Sequence, residues 1–560
     1  NSIFMLPLRN LFQKENYLSF WKNCSAKERK ILIILIIVFF ASSFSLFLSF
    51  YYQHTSLQPF PGGKITFGLV GEITTLNPIL TNFDNAESSL ISLIYPSLLK
   101  TDGQGNYQSD ILKEWYFLED GRSLRIILKD NIFWQDGKKI TTDDIAFTIQ
   151  KITDPETNSP LSPSWQGITI KVYDQQIIEF FLKEPYAFFE RNLANLKIIP
   201  KHIWEEISPQ NYRLSEYNFF PVGAGPFKVE KFQKDKNGRI VSCSLKANEN
   251  YFGKKPYLKE INFKFYQNYQ QAYQALKKGK IDSLFNLSAK NSQENFSKKK
   301  IYQVIVPRFY GIFFNSQEEE ILNIPEIREA LSLATPKKKI IDEVFGGKAK
   351  LVNTPFIEGM EGYDKEFQKE NFNLEKAKEI IQKLREEDKI PEKLEIQIVM
   401  PQGAEFFQMA NILREEWQKI GFEIKIETKE MKFLKEENIA PRNYQAILIG
   451  QMLNLQPDLF GFWHSSQKFD PGLNISLFDN EEADEAIEKI RQTFDKEERR
   501  KYYLKFQEIF LKEKPAIFLF SPNFYFLVPR SLKGINLEKV DYPFEIFNQA
   551  NQWYLKEIRK

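Results

Sequence analysis

The sequence predicts a two-lobed α/β protein with an extra β-rich portion, preceded by one membrane-spanning helix. Three observations carry this reading. Residues Ile31–Tyr52 form a run of 22 positions without a charge. The chain after Lys64 is dense in short apolar runs separated by Asp-Gly turns. Two strand–helix–strand patterns then recur far apart, near 258–287 and 394–428. A chain of 560 residues is too long for one small core, so two or three lobes are expected.

The N-terminal run is long enough to cross the roughly 30 Å hydrocarbon layer as a helix. Before it stand Arg9, Lys14, Lys22, Lys27, Arg29 and Lys30 against Glu15 and Glu28, and no Lys or Arg follows until Lys64. The positive-inside rule therefore expects 1–30 in the cytoplasm, 31–52 as the anchor and everything after about Gln53 outside. A cleaved signal peptide would carry a shorter apolar core, roughly 7–15 residues, and a small-residue cleavage site. Neither that site nor a lipid-attachment cysteine follows, so an uncleaved anchor is expected.

This topology divides the charge. Setting aside the six basic and two acidic residues of 1–30 leaves 70 basic and 71 acidic groups of the chain's 76 and 73. The outer portion is nearly neutral, and nucleic acid is not an expected partner. Cys24 and Cys243 fall on opposite sides, so no disulfide framework is expected. Aromatic content of 15%, with 51 Phe, invites a ligand-stacking account. A coding bias toward A and T would also produce it, since Ile, Lys and Asn are abundant too.

After a linker at 53–63, "KITFGLV" (Lys64–Val70) is the first strand. The β-rich stretch follows, with hairpin signals at Asp120-Gly121 and Asp136-Gly137. Thr141, with Asp144 three residues on, marks a helix start. "LKEINFKFY", "NYQQAYQALKKG" and "IDSLFNL" make the first strand–helix–strand unit, closed at Gly279. Leu394–Met400, the helical Ala404–Ile420 with Gly421 at its end, and "FEIKIET" make the second. Units of that length imply parallel strands. Asp495 and Glu498 open a last helix, which Pro515 ends before the strand "AIFLF". Open α/β sheets bind ligands at their cleft, so a site between lobes is expected.

Enzyme signatures are missing. No two glycines are four apart, which removes a G-x-S-x-G nucleophile elbow, and no Gly-Lys pair has the P-loop spacing. His54, His202 and His464 are too scattered for a zinc motif, so no metal or cofactor is expected. His202 reads as a structural residue at a helix start. His464 beside Ser465 is poorly arranged for a nucleophile and base, because neighbours on a strand or helix point apart. The expected role is binding, not catalysis.

The outer portion resembles the family 5 extracellular solute-binding proteins, the oligopeptide- and dipeptide-binding components of ABC importers. The resemblance rests on collinear motifs: "GEITTLNP" (Gly71–Pro78), the run Tyr95–Gln150 with its DG turns at Asp120-Gly121 and Asp136-Gly137 and "TTDDIAFTIQ", "PVGAGPFKVEKF", "NENYFGKKPYLKEINFKF", "ALKKGKIDSLFNL", "FNSQEEEILNIPEIREALSLAT" and Asn373–Ala377. It implies a periplasmic-binding-protein-like fold (type II, cluster C), with lobe I at 64–85, 196–306 and 520–560. The inserted β-rich subdomain would occupy 86–195 and lobe II 307–519. It also implies a monomer that closes around peptide and hands it to permease and ATPase subunits.

Carried over position by position, the resemblance puts Glu72, Ile73 and Thr74 on the cleft. In peptide-binding relatives, the segment before "QPDLFGFWHSSQ" supplies an aromatic and an Asp that holds the peptide's ammonium. Here those positions fall at Gly450 or Gln451, and at Leu453 or Asn454, so neither residue type is kept. Loss of that carboxylate removes a charge-assisted bond. Asp458 would substitute if the loop were displaced. Trp463, His464, Gln467 and Asn474 are candidates for stacking and polar contacts; in the alternative, Trp463 is core and His464 caps a turn. A saccharide-like or capped-peptide solute is the alternative cargo.

Overall fold

The computed structural model describes residues 21–22, 24–83, 86–118, 121–286, 294 and 296–560. Most of the expected cytoplasmic segment, Asp120 of the first DG turn and Leu287 at the end of "IDSLFNL" lie outside the described residues.

The apolar run lies within the helix Ala26–His54, which begins at the Ser25 capping box: Glu28 accepts from the Ser25 N–H at 2.8 Å. None of its residues is buried, and it is the one helix among the described residues long and apolar enough to cross a membrane. A helix that is apolar on every face calls for an apolar surrounding. The expected linker is partly a strand. Leu57–Phe60 pairs antiparallel with Lys556–Arg559, and Arg559 donates to the Thr55 carbonyl at 2.8 Å while its guanidinium lies over the Tyr52 ring.

Within 61–555, two large sheets carry the two lobes. The first has seven strands in the order Lys299–Val304, Phe524–Pro529, Ser283–Phe285, Lys64–Val70, Glu260–Tyr266, Ile240–Ala247 and Phe227–Lys234. The first strand–helix–strand unit is present, but Lys64–Val70 is inserted between its two strands and runs parallel to both. Its second strand, Ser283–Phe285, is shorter than the apolar run suggested.

The second sheet has six strands: Ala349–Leu351, Ala516–Pro522, Arg308–Phe314, Ala446–Met452, Leu394–Pro401 and Phe422–Lys429. Leu394–Pro401 and Phe422–Lys429 are parallel in register, joined by the helix Ala404–Gln418. Gly421 at φ 96° makes the reversal that a side chain would strain.

The inserted stretch folds as a four-stranded antiparallel sheet, Leu112–Phe117, Ser123–Leu128, Ile177–Phe181 and Thr169–Val172, flanked by the short pair Leu99–Thr101 and Tyr107–Ser109. At Asp136-Gly137 the turn closes through the Trp134 N–H to Lys138 carbonyl bond at 2.8 Å, with only the bridge Phe133–Lys139 beyond it. Thr141 starts the helix Thr142–Thr153, Asp144 accepting the Thr141 N–H at 3.0 Å. The motif "VGAGPF" serves close approach. A Cβ at Gly223 would lie 1.9 Å from the Ile94 carbonyl oxygen, and the Gly225 N–H donates to that oxygen at 2.7 Å.

Candidate functional site

A cavity of about 800 Å³ opens where the inserted region meets the loop that follows Ala446–Met452. One wall comes from Leu161–Ile168 and Leu182–Asn195, the other from Asn454–Phe462 and the helix Glu481–Gln492. Phe83 and Tyr542 complete it from the chain that flanks the seven-stranded sheet. Its volume lies within the usual range for small-molecule sites.

The inner wall is a polar network. Arg191 donates from Nη1 to Asn454 Oδ1 at 2.8 Å and from Nη2 to the Tyr186 hydroxyl at 3.0 Å. That hydroxyl donates to Asp458 Oδ2 at 2.9 Å, while Asp458 Oδ1 accepts the Phe460 N–H at 3.1 Å. Arg491 places Nε 3.3 Å from Asp458 Oδ2, its guanidinium between the rings of Tyr186 and Phe460 at 4.9 and 4.4 Å. Burial, with the Asp458 charge beside it, pushes the Tyr186 phenol up to about 12. Burial works against the Arg191 charge, but Tyr186 and Asp458 outweigh it and hold its pKa above the usual value. Two guanidiniums thus share one nearby carboxylate.

The candidate residues separate into several places. Asn454 and Asp458 line this cavity. Glu72, Ile73 and Thr74 line a second one, of about 380 Å³, with Phe219, Lys234 and Tyr266. There Thr74 is tied down, its N–H and hydroxyl both donating to Glu87 at 3.0 Å. Gln451 is buried on its strand, with Oε1 lacking a partner.

Trp463 is fully buried among Phe313, Phe510 and Phe518, which corrects the stacking expectation: the indole has no free face, and Phe460 and Phe462 form the cavity wall instead. Asn474 is likewise no contact for a solute. Its amide holds a turn, donating to the Phe478 carbonyl at 2.8 Å and accepting the Phe478 N–H at 3.0 Å. Gln467 belongs to the same local fold, donating to Ser466 Oγ at 3.0 Å.

His464 caps the short turn Ser465–Gln467, Nδ1 accepting the Ser466 N–H at 3.1 Å. That bond puts the ring proton on Nε2, which faces Glu488 at 3.5 Å. The Ser465 hydroxyl is engaged by Asp484, so the adjacent pair forms no dyad. His202 is held by Asp136 at 2.7 Å. Among the described residues, no group of three His, Cys, Asp or Glu side chains is placed to hold a metal.

Arg191, Arg491, Tyr186 and Tyr542 carry the site's chemistry without a sequence motif. Arg191 and Asn454 are 263 positions apart, and nothing local distinguishes either.

Two lobes of α/β structure, an inserted β-rich region and a chamber walled from several stretches make up the architecture of a solute-binding protein. Residues 106–471 match the family described as bacterial extracellular solute-binding proteins, family 5 Middle, and the chain belongs to that family. The oligopeptide-binding protein AppA of Bacillus subtilis (strain 168) is 26% identical over 551 residues, spanning 94% of this chain and 98% of the relative. The structure of AppA from Bacillus subtilis in complex with a nonapeptide superposes with a TM-score of 0.73 at 25% identity, covering 89% of this chain and all of that one. NikZ from Campylobacter jejuni in complex with Ni(L-His) also superposes at 0.73, with 26% identity, over 88% of this chain and 99% of that one.

Proposed function

We propose that this protein is a membrane-anchored extracytoplasmic receptor that captures oligopeptides by lobe closure and delivers them to the permease and ATPase subunits of an ABC importer. The observation that carries the reading is the chamber of about 800 Å³, walled by the inserted region, by the loop and helix between Asn454 and Gln492, and by Phe83 and Tyr542. The complex of AppA with a nonapeptide supports the peptide class. Residues 31–52 of the helix Ala26–His54 serve as the anchor, with 1–30 on the cytoplasmic side. The lobes divide as 64–85, 196–306 and 520–560 for the first, 86–195 for the insertion and 307–519 for the second. It works by binding, as its family does, and Glu72, Ile73 and Thr74 contribute from the second cavity.

The test is calorimetric titration of the full chain in detergent micelles with tetrapeptide mixtures and with a saccharide panel. Saturable peptide binding supports the reading. Saccharide binding alone would move the cargo to the second reading, a saccharide-like solute. That reading is favoured by one observation: Asn454 offers no carboxylate for a free α-ammonium.

A further inference from the structure

We propose that the inner end of the chamber is an anion subsite in which Arg191 grips a carboxylate of the solute, with Arg491 as the second cation of that wall. The inference rests on the cavity being the solute chamber.

The geometry leaves this arginine under-used. Its hydrogen bonds to Asn454 at 2.8 Å and Tyr186 at 3.0 Å occupy two of the five N–H groups that a guanidinium carries. Both partners are neutral oxygens. The nearest carboxylate, Asp458, is 3.8 Å from Nη2, beyond hydrogen-bond reach. Asp458 is moreover occupied by the Tyr186 hydroxyl, the Phe460 N–H and Arg491.

Among the other acids around the cavity, Glu184 pairs with Arg122 at 3.1 Å, Glu190 accepts the Trp115 indole N–H at 2.6 Å, and Glu488 is more than half exposed, 3.5 Å from His464 Nε2. Asp541 accepts the Leu455 N–H; burial raises its pKa against the pull of that bond and of the Arg191 and Lys539 charges. Two guanidiniums therefore face the single carboxylate of Asp458, which leaves this wall with an excess of positive charge at the end of a chamber where the Arg191 side chain keeps 15% exposure. A planar guanidinium with free donors takes a carboxylate in a two-point grip.

Asn454 sharpens the point. Its Oδ1 is turned to Arg191, and its Nδ2 has no hydrogen-bond partner of good geometry, with the Tyr542 phenol beside it. A solute oxygen arriving at Arg191 would find that donor as well. An incoming ammonium would meet two cations instead. The chamber selects for the acidic end or acidic group of its solute.

The test titrates the full chain in detergent micelles with tetra-alanine, with its C-terminal amide, and with succinate against succinamide. Arg191→Gln and Asn454→Asp are compared with the unaltered chain. Tetra-alanine should bind the unaltered chain at least tenfold more tightly than its amide, and both variants should abolish that preference, since Asn454→Asp supplies an internal counter-ion. Should Arg191→Gln fail to fold, Asn454→Asp decides alone. Equal binding of acid and amide to the unaltered chain overturns the subsite while leaving the peptide reading intact, as does a preference that survives in the variants. If no peptide binds, the peptide reading fails. Succinate binding lost in the variants then supports the subsite, and absence of succinate binding overturns it.

Discussion

The guanidinium of Arg191 donates a 2.8 Å hydrogen bond to the side-chain carbonyl of Asn454. This joins the inserted region to the loop that leaves the six-stranded sheet.

Asp458 is the one carboxylate that two arginines share, at 3.8 and 3.3 Å. Asp458→Asn should lower stability by about 2 kcal/mol, since it leaves like charges facing each other in a half-buried wall. The cost stays below that of a fully buried pair because a third of Arg491 is exposed. Thermal unfolding of the full chain in micelles measures it; an unchanged midpoint would show that the network carries no net stability.

Gly223 and Gly137 predict opposite outcomes for the same substitution. Gly223→Ala should cost more than about 4 kcal/mol and abolish soluble folding, because the new methyl meets the Ile94 oxygen at 1.9 Å. Gly137→Ala has open space and only its φ of 91° against it, so about 1–2 kcal/mol is expected. Expression yield and unfolding midpoint of the two variants are compared side by side.

Trp463→Ala should cost about 3–5 kcal/mol through cavity formation in the aromatic core, with solute affinity changed little once the chain is folded. Phe460→Ala should weaken binding, since Phe460 lines the chamber and stacks on Arg491 at 4.4 Å. Titration at a temperature well below both midpoints separates the two effects.

Lys337 begins the helix Lys337–Phe345, is buried and bonds to Asn353. Burial lowers its pKa from 10.5 to about 7, against the pull of Glu370. Between those values the unfolded chain holds a proton that the folded chain lacks, so stability should rise with pH across that window, by up to about 1.4 kcal/mol per unit. Lys337→Met should flatten this slope. Denaturant midpoints at pH 7 and 9.5 test it, and equal slopes in both proteins would remove Lys337 as the source.

The strands that were legible in the sequence are those whose pattern is local. Lys64–Val70 and Leu394–Met400 alternate or run apolar between turn residues, and Asp495 caps the helix Lys496–Glu513 through the Glu498 N–H at 2.8 Å. "IDSLFNL" was less legible: its apolar run exceeds the three residues that find ladder partners. The linker strand Leu57–Phe60 was invisible because its partner is the far end of the chain. Trp463 and His464 looked chemical for their residue type, whereas their environment makes one a core side chain and the other a turn cap.

Composition, apolar period and turn chemistry act over a few residues, so the membrane-length helix, the α/β units, the absence of nucleophile and phosphate motifs and the family could all be read from residue order. The chamber's charge could not. It depends on Arg191, Asn454, Asp458 and Arg491 arriving at one wall from three distant stretches. Coulomb interactions and hydrogen bonds depend on distance in space, which chain separation does not encode.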